Sequence, residues 1–187
     1  VTNAGTSPNF HLLEGDTGNK NYVSGGGTLT THGLRAVGYK AGGFFLSGAS
    51  TRLKFIGGDA GIALGGGYNS AEEVRFEVTG GALARNDLAW SSSQVGMSPG
   101  IAGRGYATVY LSDTGTQMLL TGSGTFSVGV QGRGLLIVTN GASFYSVGAV
   151  NLGGYMYDPI AYDGTLGHGI IRVDGTGSSF EAAGMYV

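Results

Sequence analysis

The chain contains no cysteine. That excludes disulfide staples and cysteine-ligated zinc, and leaves the redox state of its compartment open. Only 3 prolines are present, and the glycines follow no Gly-X-Y period, so a collagen-like triple helix is excluded. Charge is scarce at 12%, with 10 basic and 12 acidic residues spread along the chain without a run of either sign longer than two. No basic face can be assembled to track phosphates, so nucleic acid is not an expected partner. No apolar run approaches the ~18 residues of a membrane-spanning helix, and no basic-then-apolar leader opens the chain. The expectation is a chain soluble as given, or one cut from something longer.

What is abundant is glycine, 39 of 187 residues. Hydrophobic residues still make up 41% and aromatics 10%, enough to drive a core and too much for a disordered chain. The glycines are therefore read as turns, and the turns recur. "LSGASTRL" (46–53), "LSDTGTQM" (111–118) and "VDGTGSSF" (173–180) align without a gap. So do "VSGGGTL" (23–29) and "VTNGASF" (138–144), with "VTGGAL" (78–83) read as one residue shorter. The two types alternate along the chain, about 30 residues apart, a period that belongs to repeat architectures.

Between turns a second mark recurs, an apolar residue followed by glycine: Val37-Gly38, Leu64-Gly65, Val95-Gly96, Val128-Gly129 and Leu152-Gly153. Each unit thus holds three short segments rich in Val, Ile, Phe, Tyr and Thr, which are strands rather than helices. Three short strands in each of about six near-equal units predict an all-β chain, a parallel β-helix. At about 4.8 Å per strand, six coils would rise about 29 Å. Leu29, Leu53, Leu83, Met118, Phe144 and Phe180 follow the turns at equivalent places and are expected to form one inward ladder. Residues 21–187 carry the repeat. Residues 1–20 do not fit it and are read as a leader or cap, with Phe10, Leu12 and Leu13 available to cover the first coil.

"VGYKAGGFFLSGASTRL", "FSVGVQGRGLLIVTNGASF" and "GHGIIRVDGTGSSF" resemble the repetitive passenger regions of bacterial autotransporters, over nearly the whole of 21–187. The resemblance implies a right-handed, single-stranded β-helix, a place outside the cell or on the bacterial surface, and membrane attachment only through a C-terminal barrel that this sequence does not contain. It implies an adhesin or virulence-type scaffold whose partner is a host or bacterial surface protein or glycan, or a second copy of itself.

Several short motifs carry little chemistry. "EGDTG" (14–18) has a threonine where a protease-like "GDSG" has its nucleophile, and reads as a turn. "GGDAG" (57–61) lacks the recurring aspartates that calcium coils require. "GSG" and "GRG" lack the helix and lysine of a phosphate loop. His11 and His32 are isolated, so no metal site can be assembled, and no cofactor is implied.

The segment after each apolar-glycine mark varies in length while the strands do not. It is longest at 153–169, and such insertions should emerge on one side. That loop carries Tyr155, Tyr157, Asp158, Tyr162, Asp163 and His168, and Arg104 and Tyr106 should lie on the same side. Tyrosine and arginine on loops suit recognition of a surface protein or glycan. The plainer reading is that Tyr155 and Tyr162 only fold the loop down, which leaves a structural stalk. The enzymatic alternative is a polysaccharide lyase or hydrolase with Asp158 and Asp163 as its acid and base.

Overall fold

A computed structural model describes residues 10–13, 20–31, 34–38, 42–55, 62–66, 73–87, 93–95, 106–129, 132–153 and 167–187. Every regular element among them is a strand. The first are β1 (Phe10–Leu13), β2 (Lys20–Val23), β3 (Thr28–Thr31) and β4 (Leu34–Gly38). Next come β5 (Gly42–Ser47), β6 (Arg52–Phe55), β7 (Ile62–Gly66), β8 (Glu73–Thr79), β9 (Leu83–Asn86) and β10 (Ser93–Val95). Then follow β11 (Tyr106–Ser112), β12 (Gln117–Leu120), β13 (Phe126–Val128), β14 (Arg133–Thr139), β15 (Ser143–Leu152), β16 (His168–Asp174) and β17 (Ser179–Tyr186).

All pairings are parallel, and nearly every strand pairs with the strand three places along the chain. A six-stranded sheet runs β2, β5, β8, β11, β14, β16. The second sheet has two rows, β3-β6-β9-β12-β15 and β1-β4-β7-β10-β13-β15, which meet in β15. β17 lies along β15, pairing with both its halves. Parallel sheets are usually covered on both faces by helices. Here β8 and β14 alternate half-buried or exposed with buried residues along their whole length, so each has one face in the core and one outside. That is why the chain reads as alternating segments rather than as solid apolar runs.

Among the described residues, the buried side chains of both sheets form one core cluster. Phe44, Phe76, Val109 and Leu136 face it from the six-stranded sheet, and Leu53, Met118 and Phe144 from the other. The inward ladder expected after the turns is present with one correction. The register runs Leu29, Leu53, Ala84, Met118, Phe144, Phe180, so Ala84 rather than Leu83 occupies the third rung. Ala84 is buried, whereas Leu83 sits beside Arg52 and Gln117 on the half-exposed side. The 78–84 turn is no shorter than its relatives, and a small residue at the rung disguised it. The apolar-glycine mark is likewise one residue out at its first occurrence, because Leu64 pairs with Ala36 and not Val37.

The alternation of turn types has a hydrogen-bonding cause. The shorter turns place two successive residues at positive φ: Gly25 and Gly26, Gly80 and Gly81, Asn140 and Gly141. This is the backbone of a type I′ turn. In each, the second residue's N–H points at the next unit, where the longer turn supplies a hydroxyl. Gly26 N donates to Thr51 Oγ1 at 3.1 Å, Gly81 N to Thr116 Oγ1 at 2.9 Å and Gly141 N to Ser178 Oγ at 3.0 Å. The units are thus pinned in pairs at this corner. Thr51 and Thr116 are fully buried, so water cannot replace the hydroxyl. Thr116→Val keeps the shape and orphans the Gly81 N–H, which should cost about 1–3 kcal/mol in denaturant unfolding. Thr116→Ser should recover most of that loss. A valine variant as stable as the serine variant would remove the pin from the account.

Candidate functional site

Three corners separate the strands of each unit, and they differ in how much their length varies. The turns leaving the six-stranded sheet keep nearly constant length, as their pins demand. The next corner is spanned by 32–33, 56–61, 87–92 and 121–125 in successive units, and β15 and β17 run through it unbroken. The third corner, leading back into the six-stranded sheet, is bridged by 39–41, 67–72, 96–105, 129–132 and 153–167. The third corner spans the widest range of lengths, and its connectors all enter the six-stranded sheet at one edge.

That edge is a single row. Tyr106 pairs with Glu73 on one side and Arg133 on the other, and Arg133 pairs with His168. Tyr106 and Glu73 are half-buried, while Arg133 and His168 are exposed. Of the residues picked from the sequence, Tyr106 and His168 are thus brought into register with one residue between them. Arg104, Tyr155, Tyr157, Asp158, Tyr162 and Asp163 lie outside the described residues, as do His32, "EGDTG" and "GGDAG". Arg133 and Glu73 were missed, although a signal for them existed. Counting five residues back from the apolar residue that heads each turn (Val78, Leu111, Val138, Val173) lands on Glu73, Tyr106, Arg133 and His168.

Further along the same outer face, side chains interlock across strands. The Arg75 guanidinium lies 4.9 Å over the Tyr110 ring. Its Nε is 3.4 Å from Glu77 Oε2, close enough for ion pairing but without hydrogen-bond alignment. Thr108, between Tyr106 and Tyr110 on β11, is buried beneath this cover, and its hydroxyl has no partner. Tyr22 and Phe45 stack with ring centroids 5.0 Å apart. On β16, Arg172 Nη2 lies 2.6 Å from Asp174 Oδ2, and this bond holds the Asp174 carboxyl below its ordinary range. The face thus combines aromatic rings, three arginines and hydroxyls, a mixture suited to polar recognition.

The second charged cluster lies on the other sheet. Asp87 accepts a hydrogen bond from the Thr121 hydroxyl and shares the single Arg85 Nε–H between its two carboxylate oxygens, each 2.8 Å from Nε. Those bonds, Thr121's foremost, lower its carboxyl pKa. Both Arg85 and Asp87 are well exposed, so their ion pair, made within one unit, stabilises little, and it is the Thr121 hydroxyl that joins Asp87 to the next unit. Among the described residues, no group of three or more histidine, aspartate or glutamate side chains could hold a metal ion. No protein family, no curated protein and no solved structure matches the chain.

Proposed function

We propose that the chain winds as a right-handed parallel β-helix of about six coils and acts as a surface-displayed binding scaffold of the autotransporter-passenger kind. The winding is supported by the step of three between paired strands and by three recurrent corners per unit. Its partner is a protein or glycan on a host or bacterial surface, met by the side on which the variable connectors emerge. The observation that carries this reading is the row Glu73, Tyr106, Arg133, His168, where connectors of changing length return to one sheet edge in unbroken register. A stacked sheet must keep its strands in step, so new contact surface is added most easily where chain leaves the stack.

The test is to shorten 156–165 to a two-residue turn and to replace Arg133 by alanine in a separate variant. Both should keep the β-sheet circular dichroism and melting temperature of the parent while attachment to cells, or to immobilised surface glycans and proteins, falls at least roughly tenfold, as loss of anchor residues does. Undiminished attachment by both variants would refute the connector side as the contact surface. Turnover of a polysaccharide, abolished by Asp158→Asn or Asp163→Asn, would replace the scaffold reading with an enzymatic one.

A further inference from the structure

Asn140 and Gly141 form the sequence's single Asn-Gly pair, and they sit at the positive-φ positions of the fifth unit's turn, at φ 53° and 81°. Asn-Gly suits this turn conformationally. It is also the dipeptide in which nothing shields the backbone nitrogen from the side-chain amide, since glycine has no Cβ. The asparagine is exposed to solvent. Both reacting groups, however, are held by other units. Asn140 Nδ2 donates to Ser112 Oγ at 3.1 Å, and Gly141 N donates to Ser178 Oγ at 3.0 Å. Ser178 Oγ in turn donates to Asp174 O at 2.7 Å, which fixes the hydroxyl with its lone pairs toward Gly141.

We propose that Asn140 is a self-modification site, an asparagine that deamidates through its Gly141 neighbour at a rate set by the Ser112 and Ser178 hydroxyls. In the reaction the Gly141 nitrogen gives up its proton and bonds to Asn140 Cγ. The Cγ–Nδ2 bond breaks, and ammonia leaves carrying that proton. Water then opens the cyclic imide at one of its two carbonyls, leaving aspartate or isoaspartate. While the corner is pinned, the Gly141 N–H is committed to Ser178, and the amide is turned toward Ser112. Parting of the fifth and sixth units releases the Gly141 N–H, and parting of the fourth and fifth releases the amide, so the reaction records how often the fifth unit's turn comes loose from its neighbours.

The product cannot restore the corner. Ser112 Oγ lies between Asn140 Nδ2 and Asp113 Oδ1, donating to the latter at 3.1 Å. A carboxylate at 140 loses the donor to Ser112 and faces the Asp113 carboxylate across it. Asp113 itself accepts from Gly80 N at 2.9 Å, so the disturbance reaches the third unit's turn.

Peptide mapping by mass spectrometry, on protein held in mildly alkaline buffer, tests the proposal. The folded parent should modify slowly at Asn140 and the denatured parent much faster. Ser178→Ala, with unchanged circular dichroism, should modify roughly five- to tenfold faster than the folded parent, the factor expected from losing one net hydrogen bond. Ser112→Ala should do the same by freeing the amide, and serves if the first variant misfolds. Folded variants that modify at the parent's rate, or a parent equally fast folded and denatured, would overturn the gating. Deamidation that persists undiminished in Asn140→Ala would place the site elsewhere and overturn the assignment.

Discussion

Phe144→Ala should lower the stability of this chain by about 3–5 kcal/mol, the range for emptying a buried aromatic site. Phe144 is 1% exposed and is held on two sides by other rings. Phe180 stacks on it from the next unit at 5.2 Å between centroids and 9° between planes. Phe126 meets it across the core at 5.0 Å and 56°. Neither neighbour can collapse into the space, because each is tied to its own backbone by parallel pairing that fixes its height in the stack. The loss should therefore sit toward the upper end of the range. Gln117→Ala, on the exposed side of the neighbouring strand, should stay within about 0.5 kcal/mol. Equal melting temperatures for the two variants would mean that inward and outward faces have been exchanged.

The contrast between those two positions shows what the sequence could and could not disclose. Turns were legible because positive φ narrows the choice of residue to Gly, Asn and Asp, and those letters recur at Gly80-Gly81, Asp113 and Asn140-Gly141. Inward rungs were legible wherever a large apolar residue occupied them, as at Leu53, Met118 and Phe144. The rung failed at Ala84, since an alanine in the core looks like an alanine in a turn and its neighbour Leu83 looked like the better candidate. The pinning hydroxyls were visible only as Thr and Ser beside glycine. That Thr116 receives Gly81, 35 residues earlier in the chain, is a fact of stacking rather than of local pattern. The candidate row was half legible. Tyr106 and His168 drew notice as chemistry, while Arg133 and Glu73 needed the register, which a sequence yields only when counted back from the turns.

The register also predicts where glycine is indispensable for a reason other than turning. Gly129, at φ 82°, is buried where the end of β13 passes the start of β16. A Cβ placed there would lie 2.3 Å from both the carbonyl carbon and the oxygen of His168 and 2.4 Å from Gly169 N. The obstacle is backbone on every side, so no rotamer change relieves it. Gly169 is equally tight in return, its own Cβ falling 2.1 Å from Val128 O, and Val128 O already accepts a hydrogen bond from Gly153 N at 2.8 Å. Three passes of the chain thus meet here backbone to backbone. The apolar-glycine mark at Val128 and Leu152 is the sequence trace of that meeting. Gly25 offers the control, for it has φ 69° with nothing within 4 Å of a Cβ. Gly25→Ala should cost only the left-handed strain of an L-residue, about 1–2 kcal/mol. Gly129→Ala adds the overlap to that strain and should cost clearly more, with β16 forced off β14 and the His168 end of the candidate row displaced. Hydrogen exchange should then show lost protection at Ile170 and Arg172 before the rest of the sheet is affected. If the two alanine variants prove equally stable and exchange at β16 is unchanged, the backbones do not meet at Gly129, and the row from Glu73 to His168 loses the contact that holds its last member in place.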